Sequence, residues 1–227
     1  MTTLWFYLTD FLSNPESWRG TDGIPNRMME HALYTVLALV ISIVLAFPVG
    51  LWTGHSGRGG AALTALANSA RALPTYGVLV LLVVLMGIGL VPVLIPLVAL
   101  AIPPILLNTH EGIRAVNPQL TDAARGMGMT GSQVLLRAEL PVALPFILVG
   151  MRTAAVQIVA TATIAAAVSF GGVGRLIVDG LARRDFTLVV GGGVLAAVAA
   201  LIVLAFFAAL RRFLVSPGLR AHAKGGH

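Results

Sequence analysis

No charged side chain occurs from Ala72 through Thr109. A helix crosses the hydrocarbon core of a bilayer with about 20 residues, so this run is too long for a single span. Backbone groups in lipid must bond within the protein, which restricts spanning segments to helices and closed barrels. The run lacks the alternation of apolar and polar residues found in barrel strands. It therefore predicts an all-α integral membrane protein.

The charge content of the whole chain supports the same fold class. Hydrophobic residues make up 57% of the chain and charged residues 11%, whereas soluble domains carry about 25% charged residues. This charge is too sparse to cover a soluble domain, so much of the surface must face lipid. We predict about five transmembrane helices, at His31–Gly54, from Ala61 to the turn at Gly87, at about Leu90–Asn108, at about Ala143–Phe170 and at about Phe186–Leu210.

The segments between and beside these spans divide the chain further. Residues 1–30 form an external, interfacial segment, residues 31–213 the transmembrane domain and residues 214–227 a cytoplasmic tail. The prolines Pro96, Pro103 and Pro104 predict a broken third helix. Backbone carbonyls freed at membrane depth need partners, so this helix should be lined by protein or water.

The basic residues predict the orientation of the chain, because cytoplasmic loops carry an excess of lysine and arginine. Five spans place the two ends on opposite sides. The richer side holds Arg58, Arg114, Arg125, Arg137, Arg211, Arg212, Arg220 and Lys224. The poorer side holds Arg19, Arg27, Arg175, Arg183 and Arg184. We therefore place the N-terminus and residues 171–185 outside the cell and the C-terminus in the cytoplasm.

The loop at residues 111–142, between the third and fourth spans, has the sequence of two short helices. Asn117 caps the first helix and Pro118 occupies its first position, where a missing amide costs nothing. Gly126 and Gly128 predict a bend. Thr130 and Gln133 form a capping box for a second helix that runs to about Leu140 and stops before Pro141. The bend would project farthest from the membrane, where Met127 and Met129 could pack into a groove on a partner.

The spacing of residues within this loop carries a family resemblance. Asp122-Ala123-Ala124, followed by Gly128 and then by Leu140-Pro141, resembles the EAA loop of ABC importer permeases. The match departs from the family pattern at two positions. Asp122 stands where glutamate is usual, which keeps the charge, and Ala138 stands where a larger aliphatic residue is usual.

Three further segments are most similar to the glycine betaine/carnitine/choline permeases, which transport osmoprotectants such as proline betaine. These segments are residues 71–75, 123–129 and 150–157. The resemblance implies a multi-pass permease subunit of the bacterial inner membrane. The alternative is a permease of the same architecture for another small solute, such as an amino acid or methionine.

The resemblance also implies the partners of the chain. They are a cytoplasmic ABC ATPase dimer, a second permease subunit that is identical or paralogous, a substrate-binding protein outside the cell and the lipid bilayer. No nucleic acid is implied, and ATP and Mg²⁺ would bind to the ATPase. The residues that match or adjoin the motif would dock on the ATPase: Asp122, Ala123, Ala124, Met127, Gly128, Met129, Glu139, Leu140 and Pro141. For Arg137 and Glu139 the alternative is that they cap a solvated helix.

The sequence itself also assigns ATP hydrolysis to another chain. It contains no GxxxxGK[ST] phosphate loop, the motif that cradles the phosphates of ATP. Every carboxylate lies outside the spans or at their ends, whereas carriers driven by protons or sodium usually keep one at mid-membrane. The energy for transport is therefore expected from a partner.

Polar residues inside the spans are candidates for the translocation pathway or its gate. Buried charge is costly unless it is paired or hydrated, which draws attention to Arg71. The tentative set is Arg71, Pro74, Gln157 and Thr161. Two alternatives stay open: Arg71 and Arg152 extend to the headgroups, and Gln157 and Thr161 form hydrogen bonds between helices.

Other chemistry is disfavoured by composition. The chain has no cysteine, and its five histidines are scattered without helical ligand spacing, so we expect no metal site. No acid, base or metal cluster occurs in or beside a span, so we expect no catalytic site. Aromatic residues make up 7% of the chain and do not cluster in the spans. A quaternary ammonium ion binds best in an aromatic cage, so tight recognition is expected in the binding protein.

Overall fold

The computed structural model describes residues 2–72, 74–168 and 171–215. The helices are α1 (Thr2–Ser13), α2 (Ile24–Ser56), α3 (Gly60–Ala72), α4 (Thr75–Met86), α5 (Leu90–Arg114), α6 (Pro118–Gly126), α7 (Gly131–Val134), α8 (Leu140–Ala165), α9 (Gly174–Arg183) and α10 (Phe186–Leu214). Short 3₁₀ helices occupy Pro15–Trp18 and Ala166–Val168, and a π-helical turn occupies Leu135–Glu139. The described part of the chain contains no strand, so the predicted all-α class is confirmed.

Four segments of the described chain are long and apolar enough to cross a membrane: Ile24–Ser56, Leu90–Arg114, Gly131–Val168 and Phe186–Leu214. They correspond to the first, third, fourth and fifth predicted spans. The first begins seven residues earlier than predicted, and the third and fifth end later. Gly191, Gly192 and Gly193 lie inside the continuous helix α10.

The second predicted span is not one helix. It is divided into α3 and the short apolar helix α4, with Pro74 at the position that caps α4. Proline lacks an amide hydrogen and its ring clashes with the preceding helical turn, which explains why one helix does not run through Pro74. The prediction of a single helix from Ala61 is therefore wrong.

The third span also differs from its prediction, because α5 is helical throughout Leu90–Arg114 despite its prolines. One face of this helix is almost completely buried at four residues spaced by four: Val93, Leu97, Ala101 and Ile105. This periodic burial packs the helix along its length, which can offset the hydrogen bonds lost at proline. The expectation of a broken helix is wrong.

The chain forms two compact units, and each long helix contributes residues to both. The first unit comprises residues 1–41, 73–100 and 155–203. Its core includes a cluster of Phe11, Ile24 and Leu176. The ring of Phe11 lies where a side chain on Gly191 would be, so this glycine allows close packing of α1 on α10.

The second unit comprises residues 42–72, 101–154 and 204–227. Its core includes a cluster of Ile113, Val116, Ala143 and Ile147, against which Leu135 and Leu140 also pack. The cluster joins the end of α5 to the start of α8. It therefore supports both ends of the loop that the sequence singled out.

Candidate functional site

The loop between α5 and α8 begins with a capped helix, as predicted. The side chain of Asn117 accepts a hydrogen bond from the amide of Gln119 at 2.9 Å. Pro118 occupies the first turn of α6, where its missing amide needs no partner. These two residues fix where the chain leaves the end of α5 and starts α6.

The bend after α6 is a Schellman motif built on Gly128. The amide of Gly128 donates to the carbonyl of Arg125 at 2.9 Å, and the amide of Met129 donates to that of Ala124 at 3.2 Å. Gly128 has φ +84°, a conformation that side chains with a Cβ rarely adopt. The predicted glycine bend is confirmed, and its geometry shows that Gly128 makes the turn while Gly126 remains helical.

The segment after the bend begins as predicted but ends differently. The amide of Thr130 donates to the side chain of Gln133 at 2.8 Å, which is one half of the predicted capping box. α7 then continues through the π-helical turn Leu135–Glu139 directly into α8. Helix termination before Pro141 is therefore a wrong prediction. Pro141 lies in the first turn of α8, and the preceding turn is widened by a bond from the amide of Leu140 to the carbonyl of Leu135.

The predicted docking residues are not all on the surface. Met127, at the bend, is 73% exposed, and Asp122, Ala123 and Gly128 beside it are also exposed. Met129 and Leu140 are half-buried, Pro141 is exposed and Ala124 is buried. We call the exposed set Asp122, Ala123, Met127 and Gly128 the loop tip. It combines a carboxylate with an apolar side chain that has no cover within the described chain.

Glu139 is buried instead of presenting its carboxylate at the surface. It is 5% exposed, and its Oε2 lies 2.6 Å from Nδ1 of His55, at the end of α2. The carboxylate and the imidazole share a hydrogen bond, and which of them donates depends on the tautomer of the ring. No local sequence pattern indicates His55 as its partner, since the two residues are 84 positions apart.

The predicted pathway residues are described only in part. The side chain of Arg71 lies outside the described residues. Gln157 is partly buried, and its side-chain carbonyl has no hydrogen-bond partner within the described chain. Thr161 is half-buried and Pro74 starts α4. Their roles in a pathway stay predictions.

Arg152 is exposed and lies at a groove of about 200 Å³. The groove is lined by Leu148, Val149, Arg152, Phe207, Ala208 and Arg211. An arginine whose stem runs along apolar surface while its head stays accessible fits the alternative in which Arg152 extends toward the headgroups.

These features define a class: a multi-pass α-helical membrane protein with a structured loop whose tip is exposed. A family model identifies the class more closely. Residues 42–221 match the model of the binding-protein-dependent transport system inner membrane component. The chain belongs to this family, which consists of the permeases of ABC importers.

Curated relatives match over most of the chain. The glycine betaine/carnitine/choline transport system permease protein OpuCB of Bacillus subtilis is 32% identical, with 84% of this chain and 88% of the relative covered. The choline transport system permease protein OpuBB of the same organism is 30% identical with the same coverage. The glycine betaine/proline betaine permease ProW of Escherichia coli is 31% identical over 77% of this chain and 49% of its own length.

Solved structures show the same fold. Two crystal forms of the inward-facing MetNI methionine ABC transporter match with TM-scores of 0.72 and 0.75, at 23% and 22% identity. They cover 83% and 90% of this chain, and 94% and 100% of the matched chain. At this identity the likeness supports the architecture and not the solute.

Family membership establishes the general role of the chain. It is a multi-pass inner-membrane transport subunit and not a catalytic one, because ATP hydrolysis in these importers belongs to a separate ATPase chain. Importers of this family work with an ATPase and a substrate-binding protein.

Proposed function

We propose that this permease imports osmoprotectants with a quaternary ammonium group: glycine betaine, carnitine, choline or proline betaine. The observation that carries the proposal is the match, across most of the chain, to permeases named for these solutes at 30–32% identity. Aromatic residues make up only 7% of the chain. A cation–π cage for the ammonium group therefore belongs in the binding protein, while the permease provides the pathway to which Gln157 and Thr161 are assigned.

The loop tip is the proposed contact with the ATPase. Its exposed methionine can adapt to a groove on the partner, and the Schellman bend holds Met127 outward on a fixed backbone. The neighbouring pair of Asp122 and Arg125 is exposed at 3.7 Å, and exposed pairs of this kind contribute little stability. Asp122 is therefore free to pair with a cation on the partner.

We also propose how the chain is oriented in the membrane and how it assembles with its partners. The side with more arginines, which includes residues 111–142, faces the cytoplasm, while the N-terminus and residues 171–185 lie outside. Two permease chains, identical or paralogous, enclose the pathway with a dimer of the ATPase beneath them. ATP and Mg²⁺ bind to the ATPase.

The test is solute uptake by proteoliposomes that contain the purified complex, its binding protein outside and ATP inside. We expect uptake of at least one of glycine betaine, carnitine, choline and proline betaine, at least tenfold above uptake of methionine. The purified complex should contain two permease chains. Selective uptake of methionine or another amino acid, with none of the four ammonium solutes transported, would contradict the proposed solute class.

A further inference from the structure

The contact between Glu139 and His55 joins the loop to a spanning helix. Glu139 ends the π-helical turn that follows the loop tip, and His55 is in the last turn of α2. Among the described residues, Glu139 is the only acidic side chain that is buried. A buried carboxylate is costly unless it is paired and hydrogen-bonded. A loop that is only solvated has no need to bury a carboxylate. The buried pair of Glu139 and His55 therefore indicates a further role for this contact.

His55 bonds to one end of the segment that leads from the bend into α8 and lies near its other end. Its Nδ1 lies 2.6 Å from Glu139, and its Nε2 is 3.6 Å from where a Cβ on Gly131 would be. The ring thus lies between the start of α7 and the end of the π turn. Movement of this segment relative to α2 would therefore displace the ring or break the hydrogen bond.

The end of α2 that carries His55 is itself packed closely on α5. A Cβ on Gly50 would lie 2.7 Å from Cβ of Thr109, and one on Gly54 would lie 2.8 Å from Cβ of Ile113. These glycines are spaced by four, the small-residue spacing that lets membrane helices approach closely. Because these two helices are closely packed, movement of His55 should displace α2 and α5 together.

The π turn provides a place where the loop could change register. Its bonds run from residue i+5 to residue i, and such turns are rare and often lie at functional sites. Adding or removing one residue from a helical turn rotates the following side chain by about 100°. Such a change would carry Glu139 away from His55, so the pair holds one arrangement of the turn.

We propose that Glu139 and His55 are positioning residues that transmit movement of the ATPase-docked loop to α2 and α5. The proposal rests on the proposed function of the loop and adds to it. The loop tip binds the ATPase, and the Glu139–His55 pair carries the resulting movement into the membrane. Loss of the pair should leave the ATPase bound and active but uncouple its hydrolysis from transport.

The test uses the complete transporter in proteoliposomes and measures ATP hydrolysed per solute imported. Glu139→Gln retains the shape of the side chain but replaces its carboxylate by an amide, and we expect the ratio to rise at least tenfold while ATPase binding stays within twofold of wild type. Exchanging the two residues, His55→Glu with Glu139→His, should restore the ratio to within threefold of wild type. Where Glu139→Gln does not assemble, His55→Gln is measured instead and judged by the same criteria.

A matched control is Asp179→Asn, which removes a carboxylate paired with Arg175 on the same helix at 2.9 Å. This variant should leave the ratio unchanged. A wild-type ratio in Glu139→Gln, or an exchanged pair that fails to restore coupling, would overturn the proposal. Failure of the proposed function is recognised separately, because the wild-type complex would then import no quaternary ammonium solute at all.

Discussion

At the scale of single residues, Gly128 determines how the loop tip is presented. Its φ of +84° lets the chain close the Schellman motif and turn from α6 into α7. A Cβ at this position would meet nothing within 4 Å, so space does not exclude other residues. Only the positive φ disfavours other residues at position 128. A substitution of Gly128 therefore tests the backbone geometry of the bend directly.

Replacing Gly128 by alanine should strain the bend by about 1–2 kcal/mol, because side chains with a Cβ disfavour this region. Gly126→Ala is the matched control, since Gly126 is helical and also has open space around it. Alanine there should be neutral or stabilising by up to about 1 kcal/mol. Thermal unfolding of the purified permease in detergent would measure both. A Gly128→Ala variant as stable as Gly126→Ala would contradict the assigned geometry.

The same scale shows what the sequence could and could not predict. Asn117, Gly128 and Gln133 act on backbone groups within a few residues, so local rules place them correctly. The bond between Glu139 and His55 depends on the packing of helices that are distant along the chain. No local pattern indicates it, although the spacing of Gly50 and Gly54 could have identified the close helix contact next to His55.

At the scale of elements, the packing of α2 on α5 depends on glycine. Gly54 lies against Ile113 and a backbone carbonyl of α5, neither of which can move like the end of a flexible side chain. The prediction of the second span as one helix is wrong for a reason that also lies at the scale of elements. The prediction joined residues 61–86 into one helix, but the conformational restriction at Pro74 divides the segment into α3 and α4.

Replacing Gly54 by alanine should destabilise the permease by about 1–3 kcal/mol through overpacking. Gly193→Ala, in α10, is the matched control because a Cβ there would meet nothing within 4 Å. Both changes gain helix propensity equally, so the difference in melting temperature between the variants isolates the helix contact. Equal melting temperatures would show that α2 and α5 do not approach as closely as described.

At the scale of the whole molecule, the chain is one part of an importer and acts through its partners. The fold class, four of the five predicted spans and the family could be predicted from the sequence, because hydropathy and the loop motif depend on contiguous residues. The different positions of the loop's residues, some exposed at the tip and one buried against α2, could not be predicted from the sequence. The structure separates an exposed tip, which we propose docks on the ATPase, from a buried pair that joins the loop to α2.

The central claim, that the loop tip docks on the ATPase, is tested most directly by the affinity of the permease for its ATPase. Met127 and Met29 are 73% and 71% exposed, and Met29 lies near the start of α2, far along the chain from the loop. Burial of a central anchor at an interface is commonly worth about 2 kcal/mol or more. Met127→Gln should therefore weaken ATPase binding at least tenfold, while Met29→Gln binds as wild type does. Unchanged binding by Met127→Gln would contradict the account.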